Sequence, residues 1–487
     1  MAYFSFVGDT LFFDIRGWIN LESTVLKHLQ NKGIFINATC GGAGTCGKCT
    51  VYVDGVPCLA CQTSYKGQKI DASNQQDSKQ SEDDFVVLAA SPSSGYSNTG
   101  KNFGLAVDIG TTTIAFALVD LASGNIVNSF GMVNSQRTFG ADVISRIKAA
   151  DEGKLDLLNK FVVEDILKGI AYICKDSKAV RKMVVAGNTT MLHILLGESC
   201  HSLGQYPFTP VFIDMQRRPF DEIFGCGLLD LEVVLLPGIS TYVGADVVAG
   251  VFYGESLGKH KNCLLVDLGT NGELALFSND TILATATAAG PAFEAGNIFC
   301  GTGSIPGAIC KYNDLGYETI NNCEPIGLCG SGVLDVAAFL VLKGVIDEAG
   351  GMDDDFIVAD APEGAVVFTP KDVRELQLAK SALRAGVEVL LAESGKNHED
   401  IDMVYLAGGF GHTLNLESAL VLGILPETWR DRVLAIGNSS LAGCVRFLTD
   451  QAGLGFAADL KSRAKEINLS DHPRFNDLFM EYMMFEN

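Results

Sequence analysis

The sequence predicts a multidomain α/β chain: a small cysteine-bearing domain, a polar linker and a larger two-lobed domain. Three observations carry this prediction. An apolar strand ending in aspartate and a Gly-Thr turn occurs twice, at Asp108 and again at Asp267. A third apolar strand, residues 403–406, leads into a glycine-rich turn at Gly408, Gly409 and Gly411. Ahead of all three, Cys40, Cys46, Cys49, Cys58 and Cys61 crowd into one short stretch.

The bulk properties narrow the class. At 487 residues the chain has room for about three units of roughly 150 residues each. An apolar content of 47% is ample for sizeable cores. A net charge of −22 argues against nucleic acid and anionic membranes as partners. No apolar run reaches the roughly 18 residues of a membrane span, and Met1-Ala2-Tyr3-Phe4 lacks the basic start of a secretory signal. Without such a signal, fourteen cysteines suggest thiols or metal ligands rather than disulfides. The expectation is a soluble, cytoplasmic protein.

Residues 1–70 read as the cysteine-bearing domain. Residues 3–7 and 11–15 form a hairpin around Gly8-Asp9-Thr10. A helix follows over about 21–31, with Asn20 as cap, Val25, Leu26 and Leu29 facing inward, and Gly33 closing it. Ile34-Phe35-Ile36 is a short strand leading into the cysteines. Their spacing, C-x₅-C-x₂-C and then a distant cysteine at 58 or 61, is close to the plant-type iron–sulfur pattern. Glycines in the loop let it wrap a cluster and aim backbone N–H groups at the sulfurs. Zinc is the rival, since C-x₂-C pairs suit it too. Zinc ribbons rarely carry five small residues, three of them glycine, within one ligand loop. The lead-in of hairpin, helix and strand resembles the β-grasp of plant-type ferredoxins. In that family the fourth ligand sits in a Leu-Ala-Cys-like strand, which Leu59-Ala60-Cys61 matches. The resemblance implies a [2Fe-2S] cluster on Cys40, Cys46, Cys49 and Cys61, with Cys58 as a possible substitute ligand.

Residues 71–102 are polar and read as a linker. Beyond it, Asp108-Ile109-Gly110-Thr111-Thr112-Thr113 has the chemistry of a phosphate loop. Its carboxylate can hold Mg²⁺ through water. Gly110 lets backbone N–H groups approach a phosphate, and Thr111, Thr112 and Thr113 add hydroxyl donors. Asp267, Gly269, Thr270 and Asn271 repeat the pattern. Two such halves, residues 103–255 and 256–487, suit a nucleotide clamped between them. Glycines 408, 409 and 411 would let backbone pack flat against an adenosine.

Other polar residues fall at element ends. Asn188, after an apolar strand, is a candidate polar contact. Asp142 and Asp246 each begin an apparent helix; the first reads as complementing the helix dipole, whereas Asp246 could orient Mg²⁺ or water. Glu294, in a glycine-rich loop, is a possible general base. Gly330-Ser331-Gly332 opens a long apolar helix over 333–345. The cysteines beyond residue 100 show no C-x₂-C pairing and read as buried free thiols.

Two phosphate loops followed by the Gly-Gly turn resemble the superfamily of actin, sugar kinases, acetate kinase and the heat-shock ATPases. Joined to a ferredoxin-like domain, the whole resembles the reductive activators of corrinoid proteins. That resemblance implies ATP binding by Asp108 to Thr113, Asp267 to Asn271 and Gly408 to Gly411. It implies return of a corrinoid methyltransferase protein from Co(II) to Co(I), fed by a low-potential electron donor, with a homodimer as the expected assembly. Longer members place a further domain between ferredoxin and ATPase, where this chain has only the linker. The alternative is a small-molecule kinase or ATP-binding regulator with a ferredoxin as redox sensor.

Overall fold

In the computed structural model, residues 4–7, 10–13, 24–31, 36, 49–73, 102–140, 142–174, 176–269, 271–361, 364–408 and 414–485 are described. They belong to two units: residues 1–84 with 135–161, and residues 85–134 with 162–487.

In the first unit the expected hairpin is present, β1 (Phe4–Val7) pairing antiparallel with β2 (Thr10–Phe13). The helix α1 (Val25–Asn31) starts later than the sequence suggests. Thr24 Oγ1 accepts the Lys27 amide at 3.2 Å, so Thr24 does the capping at its first turn; Asn20 lies outside the described residues. Val25, Leu26 and Leu29 are buried as expected, on one helical face. They pack with Ile36, Cys49, Val51, Ala60 and Cys61. A small antiparallel sheet holds β3 (Thr50–Val53) between β4 (Val56–Leu59) and β5 (Ile70–Asp71). The same unit contains α2 (Val143–Ala149). Asp142 is its cap, accepting the Ser145 amide at 2.7 Å, so this aspartate has the structural role that its position suggested.

The second unit is built on a duplication. Its first sheet runs β10 (Gln216–Pro219), β11 (Glu232–Leu235), β9 (Val180–Gly187), β6 (Phe103–Ile109), β7 (Thr113–Asp120), β8 (Ile126–Val133). Its second runs β21 (Val433–Gly437), β20 (Met403–Ala407), β12 (Cys263–Leu268), β13 (Gly272–Phe277), β14 (Ile282–Thr287), β22 (Ala464–Glu466). In each, three antiparallel strands continue into two parallel ones: β6–β7–β8 with β9 and β11, and β12–β13–β14 with β20 and β21. The repeat extends to register, since Asp108 lies opposite Ala186 of β9 and Asp267 opposite Ala407 of β20. Every residue of β6 is buried, as expected of a central strand covered on both faces.

Helices pack on these sheets and on one another: α3 (Leu155–Ile173, of which residues from 162 on belong to this unit), α4 (Thr189–Leu196), α5 (Phe220–Phe224), α6 (Ala245–Gly254), α7 (Gly330–Leu342), α8 (Pro370–Ser394), α9 (Leu416–Val421), α10 (Ser439–Thr449), α11 (Ala452–Arg463) and α12 (Phe475–Glu481). Smaller pairings complete the unit, β15 (Ala308–Asn313) with β16 (Gly316–Thr319) and β17 (Gly327–Leu328), and β18 (Phe356–Ala359) with β19 (Val366–Phe368). The long α8 shows its sequence logic plainly. Thr369 and Asp372 form a capping box, Pro370 takes the first turn, and Gly395 ends the helix in the left-handed conformation.

Two helices trade places. α6, from the first half, packs its Val247, Val248, Val251 and Phe252 into a core with Leu265, Ala275 and Phe277 of the second sheet. α10, from the second half, lies against β6, β7 and β9 of the first. They also touch each other, and glycines allow it: a Cβ on Gly443 would fall on the Ala249 carbonyl, and one on Gly250 would be 2.7 Å from Ser439 Oγ.

Candidate active site

The two hairpins present their turns in the same way. Gly110 N donates to Thr113 O at 3.0 Å, and Gly269 N to Asn271 O at 3.0 Å. A Cβ on Gly110 would lie 2.6 Å from Thr113 O, so the tight turn needs glycine there. Asn134, at the end of β8, braces the first turn from behind: its amide donates to Thr112 O, and its side chain to Gly110 O at 2.9 Å. Asn188 stands at the end of β9, beside the first turn. It caps α4 through Met191 N at 2.9 Å and donates its amide to Thr111 Oγ1 at 3.1 Å. Gly244, before α6, approaches so closely that a Cβ would lie 2.6 Å from Asn188 Cα.

Asp108, at the end of β6, is held from the N-terminus of α10. Ser440 Oγ donates to its Oδ1 at 2.7 Å and Asn438 Nδ2 to its Oδ2 at 2.8 Å. Asp267 receives Ser439 Oγ at 3.5 Å. Asp246, in the first turn of α6, accepts its neighbour Val247 N at 2.8 Å. Gly408 closes this side with φ +94°; a Cβ there would collide with Leu268 O and come within 2.9 Å of Asp267 Oδ1. Its amide donates to Gly437 O at 3.0 Å. Thr270, Gly409 and Gly411 lie outside the described residues.

These carboxylates act on one another. Burial pushes Asp246 up to about 7, opposed by the Val247 backbone hydrogen bond and aided to a lesser degree by the charge of Asp108. Burial, then Asp246 and Asp108, pushes Asp267 up to about 7, with a smaller push from Glu294. Burial raises Asp108, partly offset by Ser440 and Asn438. Glu273, directly across the hairpin from Asp267, is driven well above the ordinary range by burial and then by Asp246 and Asp267. Glu294, at the end of the turn Pro291–Glu294, is exposed and near enough to be felt at Asp267. Among the described residues, the groups acting on these carboxylates are carboxylates, amides and hydroxyls, with no lysine or arginine.

An arrangement of hard oxygen donors short of positive charge fits a hydrated Mg²⁺. That ion keeps several waters and is bound by one or two carboxylates plus phosphate oxygens. Among the described residues no three acidic, histidine or cysteine side chains stand close enough to grip a bare ion. The N-termini of α6 and α10, both turned toward the carboxylates, favour negative phosphate.

Glu273, Asn438, Ser439 and Ser440 are site residues that sequence reasoning missed. Glu273 carried a signal, a charge inside the otherwise apolar run of β13. Asn438-Ser439-Ser440 after an apolar strand is a helix-start pattern, though nothing in it points to Asp108, 330 residues away.

In the first unit, Cys49 and Cys61 belong to one core cluster at the open end of the β3–β4 hairpin, where Ala60 N donates to Cys49 O at 2.9 Å. Both are buried, and Gln62 Nε2 donates to Cys61 Sγ at 3.6 Å. Cys58 is half-buried within the ladder, opposite Val51. Cys40 and Cys46 lie outside the described residues. The two thiols present fit a sulfur-ligated cluster, with an amide donor of the kind that tunes it.

Known families match nearly all of the chain. A 2Fe-2S iron–sulfur cluster binding domain matches residues 19–80, the RACo middle region 103–256, and the C-terminal domain of RACo, the ASKHA domain, 261–487. The corrinoid activation enzyme RamQ of Eubacterium limosum is 32% identical over 419 residues, covering 79% of this chain and 70% of that protein. A [Co(II) methylated amine-specific corrinoid protein] reductase of Methanosarcina barkeri is 25% identical over 415 residues, covering 78% and 76%. The solved structure of a reductive activator for a corrinoid, iron–sulfur protein superposes with a TM-score of 0.71 at 28% identity, covering 96% of both chains. With the ferredoxin domain and the duplicated ATPase fold both in place, the chain belongs to the RACo family of reductive activators of corrinoid proteins.

Proposed function

We propose that this protein returns the cobalt of a corrinoid protein from Co(II) to Co(I), using one electron carried on its [2Fe-2S] domain and ATP hydrolysed between the two hairpins. The observation that supports the ATP half best is the convergence of Asp108, Asp246, Asp267 and Glu273 beside two phosphate-type turns and two helix N-termini. A bound Mg²⁺ would supply charge neutralisation at the phosphate oxygens. Around it, the backbone N–H groups of the Gly110 and Gly269 turns and the hydroxyls of Thr111, Thr112, Thr113 and Thr270 position the phosphates, with Asn271 closing the second turn. Asn188 orients Thr111. Gly408, and with it Gly409 and Gly411 as the sequence resemblance implies, would face the adenosine.

Asp267 and Asp246 would hold the hydrated ion, and Asp108, bonded to Asn438 and Ser440, fixes the start of α10 beside them. Glu273, half-buried and paired across the hairpin with Asp267, would be placed to hold the attacking water and take its proton; Glu294, exposed nearby, is the second candidate for that step. This is positioning and charge stabilisation, which is what phosphoryl transfer requires.

Cys40, Cys46, Cys49 and Cys61 hold the cluster that supplies the electron. Plant-type clusters sit near about −400 mV, and each 59 mV by which cobalt lies lower costs about tenfold in equilibrium for one electron. Docking must therefore favour Co(I), with hydrolysis resetting the complex. The partners are a corrinoid protein and a low-potential electron donor, and the working assembly is a pair of chains. Anaerobic ATP turnover, measured with and without a Co(II) corrinoid protein, tests the proposal. Turnover should rise with the partner and be accompanied by Co(I); turnover indifferent to it would refute the coupling.

A further inference from the structure

The thiols of the second unit mostly stand alone, but Cys310 and Cys329 do not. β15 and β17 pair in parallel, Ala308 opposite Gly327 and Ile309 opposite Leu328. Continued one step past the end of β17, that register would bring Cys310 opposite Cys329. Neighbouring strands lie about 4.8 Å apart, inside the Cα separation of about 4.4–6.8 Å that a disulfide requires. Cys329 Sγ already lies 3.2 Å from the Ile309 carbonyl oxygen, which also accepts the Cys329 amide at 3.1 Å. That carbonyl belongs to the peptide bond of Cys310 itself.

The closeness is built in. A Cβ on Gly332, in the first turn of α7, would strike Ile309 O and lie 3.5 Å from Cys310 N, so only glycine lets the helix start sit against this peptide. Cys329 is the residue that caps α7 and is 2% exposed. Cys310 stands where the β15–β16 register slips and is half-buried, within reach of a small reagent. Its Sγ donates to Glu318 O at 3.5 Å, a weak tie that a side-chain rotation breaks. Burial first, and then Cys329, push the Cys310 thiol above its ordinary range, as a close sulfur neighbour should.

We propose that Cys310 and Cys329 form a reversible disulfide, a redox site separate from the iron–sulfur domain, that fastens the start of α7 to β15 and slows ATP turnover. The oxidant is a small-molecule disulfide. The Cys310 sulfur attacks it, forming a mixed disulfide and releasing one small thiol with the Cys310 proton. The Cys329 sulfur then displaces the second thiol, which leaves with the Cys329 proton. The dithiol loses two electrons and two protons, and the reagent gains both as two thiols. The consequence for turnover rests on the nucleotide reading, because α7 packs against the turn bearing Glu294. Its Asp335 also accepts Asn415 Nδ2 at 3.0 Å and Ser418 Oγ at 2.6 Å, just past the glycine-rich turn. The bond itself does not depend on that reading.

The test treats anaerobically purified full-length protein with oxidised glutathione, alkylates the remaining thiols, and maps peptides by mass. The expected result is a 310–329 linked peptide several-fold more abundant than any other linkage, lost on adding dithiothreitol, absent in Cys310→Ser and Cys329→Ser, and unchanged in Cys323→Ser. ATP turnover should fall at least threefold on oxidation, recover on reduction, and stay constant in Cys310→Ser. Both thiols alkylated, Cys310 halted as a glutathione adduct, or pairing with Cys323 instead would overturn the site. A formed disulfide with unchanged turnover would overturn the control of turnover and leave the nucleotide reading intact.

Discussion

Asp108 and Asp267 occupy matching positions in the two sheets, yet their surroundings give them different work. Both oxygens of Asp108 are held by donors from α10, whereas Asp267 has one long hydroxyl contact and a crowd of like charges. Asp108→Asn turns an amide donor toward Asn438 or Ser440, a mismatch that should cost about 1–3 kcal/mol, so thermal melting and ATP turnover should fall together. Asp267→Asn should abolish most turnover yet raise the melting temperature of the nucleotide-free protein at pH 8. The sign follows from the raised pKa of both groups. Asp246 and Asp267 contribute stability that is complete below their unfolded value near 3.8 and lost as pH rises through about 7. Wild-type protein without nucleotide should therefore melt lower at pH 8 than at pH 6, and Mg²⁺ with nucleotide should narrow the gap. A gap that neither the ion nor the substitution changes would argue against the cluster of charges. Glu273→Gln should cut turnover by about 10²–10⁴-fold, as loss of a proton acceptor does, while nucleotide still binds; Glu294→Gln should matter far less. In the other unit, Cys61→Ala should lose the visible iron–sulfur spectrum and Cys58→Ala keep it, since only Cys61 sits at the open end of the hairpin beside Cys49.

At the scale of elements, the contact between α6 and α10 is the tightest constraint on the site, because the first turns of these helices carry Asp246 and, with the cap Asn438, the donors to Asp108. Gly443→Val forces side-chain atoms onto the Ala249 carbonyl. Overpacking of this kind costs about 1–3 kcal/mol, and turnover should fall further than the melting temperature alone explains, as both helix starts shift. Wild-type kinetics in the Gly443→Val protein would show that the helices can part without consequence. These elements also show what was legible. The strand, aspartate and turn of each hairpin could be read locally, because burial of a central strand and the sharp Gly-Thr bend leave marks within a few residues. The crossing of α6 and α10 could not, since it depends on which helix covers which sheet, a matter of packing between distant segments. Glu273 fell between the two: its charge stood out in the strand, but only the pairing with Asp267 gives it meaning.

For the whole molecule, the division of labour separates the electron from the phosphate. Asp267→Ala protein, reduced beforehand and mixed in excess with a Co(II) corrinoid protein, should give one round of Co(I) at best, against many rounds for wild type with ATP. Sustained Co(I) production by the variant would remove ATP from the cycle. The exchange of α6 and α10 between the two sheets carries one further consequence. Each half leaves the helix that seals its inner sheet face on the other half: α6 belongs to the first stretch of chain but fills the core of the second sheet, and α10 does the reverse. A polypeptide severed in the connection between α6 and β12, near residues 256–261, would therefore yield two pieces that each expose an apolar sheet face alone. Mixed together, they should reassemble by mutual complementation, each supplying the other's missing lid.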